Sequence, residues 1–294
     1  MAANRGKQFE YALLYEAVSR TSPNLSTWAS IETNYNDVTA DVRTAGQNAF
    51  TAVCNLALGS NYDSTDTGAA QQREFCATFQ AGPRTQSLIE GDVGEPKTDV
   101  LCSWRGTTYK FSMKYGQSYL LASPSLESSV SILSTVVFDV LNRAVDLNSD
   151  DAGARALMGF LVAIDELGIE KGAQPADVIL PAMESLGPLT ESLQTVLGSG
   201  RSRTPEQLYL NINRAVVKEL LTGELTFGSS NVATANYTLN GPNIAIHEIN
   251  DEYIDHMVNN SSVRISRKGR SRGGVTLHEV SFWCDAKDTS QPTS

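Results

Sequence analysis

The stretch Thr98-Asp99-Val100-Leu101-Cys102-Ser103-Trp104-Arg105-Gly106-Thr107-Thr108-Tyr109-Lys110-Phe111-Ser112-Met113-Lys114 holds two β-rich runs, Thr98 to Trp104 and Thr107 to Met113, either side of Arg105-Gly106. Glycine at the second central position of a two-residue connection is a hairpin signal. With that turn, Trp104 faces Thr107 and, counting outward, Asp99 faces Ser112. Lys114 lies two residues beyond Ser112, on the same face. One side of one hairpin then presents a carboxylate, a hydroxyl and an amine together. A three-residue turn would instead set Met113 opposite Asp99.

Upstream of the hairpin the pattern is helical. Phe9, Leu13 and Ala17 recur at helical spacing, widened by Leu14 and Val18, and predict a helix over 6–20 that Thr21-Ser22-Pro23-Asn24 ends. A second helix is expected over 41–57, from Val42, Ala45, Ala49, Val53 and Leu56, and a short one over 70–82. Downstream, 129–145 reads as an apolar helix, and 152–197 as short helices punctuated by Pro175, Pro181 and Pro188. Gly198 to Arg203 reads as a linker, and Thr204-Pro205 opens a helix running to about Leu221. Short strands return after Phe227, with Ser262 to Ser266 and Val275 to Trp283 flanking a basic turn.

The whole chain, 294 residues with 41% hydrophobic and 19% charged, is long enough for a full core and too apolar for wholesale disorder. No run reaches transmembrane length, and the opening residues pass straight into an amphipathic pattern, which reads as no signal peptide. The four cysteines, Cys54, Cys76, Cys102 and Cys284, never form CxxC, which argues against a zinc ribbon or a disulfide scaffold and for a reducing compartment. Net charge is -10, yet Arg264, Arg267, Lys268, Arg270 and Arg272 cluster with no acid among them. An acidic body with one basic stripe suits phosphate contact, whereas a solvated loop is the ordinary fate of such a run.

The hairpin groups suit phosphodiester hydrolysis. A carboxylate can hold Mg²⁺, which polarises phosphate and activates water, and a lysine can orient that water or offset charge at phosphorus. A second carboxylate completes such a site, and Glu10 in the first helix is the candidate, ahead of Glu16. The alternative for Asp99 and Lys114 is a cross-strand salt bridge on an exposed face. The histidines His247, His256 and His278 match no zinc spacing, and GxSxG, Walker A and GxGxxG are absent.

At Pro96-Lys97-Thr98-Asp99 and Phe111-Ser112-Met113-Lys114-Tyr115-Gly116, with Arg5-Gly6-Lys7-Gln8-Phe9-Glu10 in the preceding helix, the chain resembles the PD-(D/E)XK nuclease superfamily. The run Lys218 to Phe227 is similar to a segment of phage-encoded relatives. The resemblance spans about half the chain. It implies an α/β (α+β) protein with a restriction-endonuclease-like αβββαβ core, a helical insertion and a C-terminal β-rich region. The corresponding divisions are 1–149 for the first part of the core, 150–203 for the insertion and 204–294 for core completion and DNA contact.

The resemblance also implies Mg²⁺ (or Mn²⁺) and DNA as partners, no membrane, and action in the cytoplasm of a bacterial or phage-infected cell. A homodimer would accompany paired double-strand cuts. Asp99 and Glu10 would bind metal, Lys114 would assist the water, and Ser112 or Gln117 would take the remaining ligand place. Two departures stand out. Pro96 lies three residues before Asp99 instead of adjacent, and neutral Ser112 occupies the (D/E) position, for which Gln117, Glu95 and Asp92 are the substitutes at hand. The second reading is therefore a non-catalytic DNA-binding or virion structural protein that keeps a nuclease-like core.

Overall fold

The computed structural model describes residues 5–21, 25–60, 62, 66–82, 85–86, 93–94, 97–116, 118–120, 207–227, 234–268 and 281–288. The expected helices at 129–145 and 152–197, the 150–203 insertion and the 198–203 linker lie outside them.

The first helix, α1 (Arg5–Val18), forms where the apolar stripe predicts it, and Phe9, Leu13, Leu14, Ala17 and Val18 are all buried. It packs on α2 (Leu25–Asn36) and α3 (Ala40–Leu58). The α1–α3 crossing is close because Gly46 carries no side chain, and a Cβ there would collide with the Cβ of Ala12. α2 was not expected from the sequence. Its Ser, Thr and Asn content is poor for a helix, but Ile31 and Tyr35 are buried, and Tyr35 stacks on Tyr15 of α1 at 3.7 Å between ring centroids. Tertiary burial thus overrides propensity.

The helix expected over 70–82 instead runs as α4 (Asp66–Cys76). The Thr78 hydroxyl explains its early end. It donates to the Phe75 carbonyl at 2.7 Å and accepts from the Ser103 N–H at 3.0 Å. That bond turns the chain off the helix and into β1 (Gln80–Ala81). A two-stranded pair, β2 (Thr85–Gln86) and β3 (Val93–Gly94), follows.

β4 (Val100–Trp104) and β5 (Thr107–Tyr115) form the hairpin with the two-residue turn. Trp104 pairs with Thr107 and Val100 with Phe111. Arg105 and Gly106 both have positive φ, 49° and 84°, as a type I′ turn requires. After β6 (Ser118–Leu120), the described chain resumes at α5 (Gln207–Thr222) and the short α6 (Glu224–Phe227). β7 (Tyr237–Gly241) then lies parallel to β5, and β8 (Ala245–Glu248) antiparallel to β7. Asn236 pins the parallel start: its Oδ1 accepts from the Lys110 N–H at 2.7 Å and its Nδ2 donates to the Thr108 carbonyl at 3.0 Å.

The chain is therefore mixed α/β, around a five-stranded mixed sheet ordered β1-β4-β5-β7-β8. Phe111, Met113 and Leu239 join the helical residues in one core. A smaller sheet, β6-β10-β9, is built from β6, β9 (Ser261–Lys268) and β10 (Ser281–Asp288), with α7 (Asp251–Asn260) leading into β9. β9 extends past the expected Ser262–Ser266 run, so Arg267 and Lys268 belong to the strand and not to a turn. The expected strand over Val275 to Trp283 is found from Ser281 onward, its earlier part lying outside the described residues. Among the described residues no helix is long and apolar enough to cross a membrane.

Candidate active site

Asp99 sits one residue before β4, where the antiparallel ladder has one last backbone bond, from its own N–H to the Phe111 carbonyl at 2.8 Å. Beyond that point β5 stays paired with β7 on its other side, while its pairing with β4 has ended. The Asp99 carboxylate fills the gap, accepting the Met113 N–H on Oδ2 at 2.6 Å. Lys114 curls over the same edge. Its Nζ donates to the Met113 carbonyl at 2.9 Å and lies 3.5 Å from Asp99 Oδ2. The carboxylate and the amine meet at the open end of β4 rather than on the broad face of the sheet. Both are partly exposed, at 17% and 26% of the side chain.

Glu10 reaches this place from α1. Phe9 beside it is fully buried, with its ring edge-on to Tyr115 at 5.5 Å and its tip close to Gly241. That anchor fixes the rotation of the helix and turns Glu10 toward the end of the hairpin. Burial, then the neighbouring Asp99 carboxylate, push the Glu10 carboxyl up to about 7, while the Lys7 hydrogen bond, the Lys7 charge and the Lys114 charge pull it down. Lys7 Nζ donates to Glu10 Oε2 at 2.6 Å. Two carboxylates close enough to repel, each with an ammonium beside it, make up the site.

Arg5 forms its rim. Its guanidinium lies 4.7 Å from the centroid of the Tyr115 ring and is ion-paired to Asp41, and the Tyr115 hydroxyl donates to Asp41 Oδ2 at 3.4 Å.

Ser112 is completely buried, aligned with Thr238 of β7, and its Oγ has no hydrogen-bond partner among the described residues. It borders a buried polar layer that sequence reasoning did not single out. In that layer the Tyr119 hydroxyl donates to Asn240 Oδ1 at 2.7 Å and Thr238 Oγ1 donates to the Tyr253 hydroxyl at 3.3 Å. His247 stacks on the Tyr253 ring at 4.6 Å, a packing role for one of the histidines that matched no zinc spacing. Lys7 was also not singled out, although its i,i+3 spacing to Glu10 was readable.

Arg264, Arg267 and Lys268 lie along β9. Arg270, Arg272, Gln117, Asp92 and Glu95 fall outside the described residues.

The donor set can be tested against Mg²⁺ on this geometry. Mg²⁺ needs only one or two carboxylates and keeps several waters. Glu10 and Asp99 supply two; burial and then the Asp99 charge disfavour the ionised Glu10, and a dication beside them would offset that cost. The residues fit on those terms, and the fit does not need a richer cluster: among the described residues no group of three or more His, Cys, Asp or Glu side chains is placed to hold a metal ion. The chain matches no family model, no curated protein and no solved structure.

Proposed function

We propose that the protein is a Mg²⁺-dependent DNA nuclease with a PD-(D/E)XK-like site. The observation that carries this reading is the meeting of Asp99 and Lys114, 3.5 Å apart at the open end of β4, with Glu10 close enough to feel both charges. Part of the sheet supports it: with α2–α4, β2, β3, β6 and α6 counted as additions, α1, the antiparallel β1, β4 and β5, α5, and β7 parallel to β5 can be arranged as an αβββαβ core. Arg264, Arg267 and Lys268 share one strand, β9, and their positive charge suits the phosphate backbone.

Glu10 and Asp99 would hold the ion, with Ser112 or Gln117 as the further ligand. Held there, Mg²⁺ would supply Lewis-acid polarisation of the phosphate and a more acidic attacking water. Lys114, tied to the Met113 carbonyl and facing Asp99, orients the attacking water and offsets charge at phosphorus. The Met113 N–H and Lys114 Nζ both meet Asp99 on Oδ2, which fixes the carboxylate in place. The test is plasmid cleavage with and without Mg²⁺ or Mn²⁺. Asp99→Ala and Lys114→Ala should each abolish cutting and keep a native circular-dichroism spectrum. Full cleavage by either variant refutes the assignment.

Ser112 favours the second reading, a non-catalytic DNA-binding or virion structural protein with a degenerate core. Its hydroxyl is buried and neutral where the superfamily pattern has an acid. Plasmid binding without cutting under every metal condition would select that reading.

A further inference from the structure

We propose that Asn240 is a phosphate-contacting residue of this site, its Nδ2 group donating to a non-bridging oxygen of the DNA backbone beside Lys114. This rests on the DNA reading above.

Register places the residue. Asn240 stands directly opposite Lys114 in the parallel pairing of β5 with β7. Side chains alternate along a strand, and the preceding residues, Met113 and Leu239, both join the core that holds α1. Lys114 and Asn240 therefore start together from the other face. Lys114 leans across the open end of β4 to Asp99, and Asn240 stands on the opposite flank of β5. Neighbouring strands are about 4.8 Å apart, so one short stretch of backbone can meet both.

An amide can offer its oxygen or its nitrogen, and here a chain of hydroxyls decides which. Thr238 Oγ1 donates to the Tyr253 hydroxyl at 3.3 Å, the Tyr253 and Tyr119 hydroxyls are 3.4 Å apart, and the Tyr119 hydroxyl donates to Asn240 Oδ1 at 2.7 Å. With each hydroxyl donating onward, Oδ1 is occupied and the N–H groups of Nδ2 are left over. Nδ2 has no hydrogen-bond partner among the described residues. Ser112 Oγ is the one enclosed side-chain polar atom there without a partner, so Nδ2 keeps contact with solvent although Asn240 as a whole is only 9% exposed. An oriented N–H donor disfavours a cation and attracts an anionic oxygen. Next to the Lys114 ammonium, the oxygen that fits is that of a phosphate.

The probe is a short fluorescent DNA duplex in EDTA, followed by anisotropy, so that binding is read whether or not the protein cuts. Asn240→Ala removes the donor and should weaken binding about fivefold. The slope of affinity against salt should stay that of the wild type, since no charge is lost. Asn240→Asp keeps an acceptor for Tyr119 and should melt near the wild type, but it sets a carboxylate against phosphate and should weaken binding about twentyfold. Duplex affinity of Asn240→Asp at or above the wild-type value overturns the contact and leaves the Asp99–Lys114 site standing. Weaker Mn²⁺ binding by Asn240→Ala in calorimetry, with duplex affinity unchanged, also overturns it, because the amide would then meet the metal through its oxygen. No duplex binding by the wild type overturns the DNA reading, and the contact with it.

Discussion

Glu10→Gln gives the sharpest test of the site's electrostatics because it needs neither substrate nor activity. In the unfolded chain the Glu10 carboxyl titrates near 4.5, and in the folded protein near 7. The folded state therefore holds this proton more tightly. The stabilisation is complete below about 4.5 and is lost as the pH rises through about 7. Raising the carboxyl that far corresponds to about 3 kcal/mol at full ionisation. Only 11% of the side chain is exposed, so solvent screening trims this little. Glutamine keeps the shape and removes the titration. Urea denaturation from pH 4 to 8.5 should find the variant close to wild type at the acid end and more stable by up to about 3 kcal/mol at the alkaline end. Saturating Mg²⁺ should shrink or reverse the difference at pH 8, since a cation on the carboxylates favours the ionised form. Parallel stability curves for the two proteins across that range would show that Glu10 is not held against Asp99 in a dry place, and the site would have to be redrawn.

Four further outcomes follow from the packing. Arg105 sits at a φ of 49°, so Arg105→Gly should raise stability by about 1 kcal/mol in thermal unfolding, and a loss would mean that the turn is not type I′. Gly46→Val should destabilise by about 2 kcal/mol or more by forcing α3 away from Ala12; an unchanged melting temperature would contradict the close crossing. Tyr119→Phe leaves Asn240 Oδ1 without its donor and should cost about 1–2 kcal/mol in urea unfolding, and a neutral result would mean that water replaces the bond. Burial pushes the Cys54 thiol up to about 12 and the Cys76 thiol up to about 11, so neither should react with a thiol-exchange reagent at pH 8 until the protein unfolds, whereas rapid native labelling of either would contradict their burial.

Local structure was legible where one residue type settles the geometry. Gly106 fixed the length of the turn, and the strict alternation of β5 then fixed which residue faces which. Phe9, Leu13 and Ala17 gave the buried face of α1 directly. α2 was missed because its Ser, Thr and Asn obscure a stripe of Trp28, Ile31 and Tyr35 that becomes meaningful only once Tyr15 is there to receive it. The end of α4 depended on a hydroxyl bond from Thr78 to a strand 25 positions later, which no local window contains. The site shows the same division. Asp99 and Lys114 came from one hairpin and could be paired by counting. Their actual meeting place, over the edge where β4 stops, depends on the exact residue at which pairing ends. Glu10 was a choice among acids in one helix, and its nearness to Asp99 is a product of how Phe9 packs against β7. The Thr238–Tyr253–Asn240–Tyr119 layer draws on three separated segments, and nothing in their local patterns announced it.

The parallel pairing of β5 with β7 carries a consequence for biosynthesis. Lys110 and Asn236, which tie the two strands, are 126 positions apart. During translation the hairpin leaves the ribosome with one flank of β5 unsatisfied, and its partner does not exist until those 126 further positions have been made. A nascent chain in that condition offers an open ladder to any neighbour, including the same strand on the next polysome. Expression at lowered temperature or with holdase chaperones should therefore decide soluble yield more than any change to the finished fold, and polypeptides truncated before Tyr237 should accumulate as aggregates.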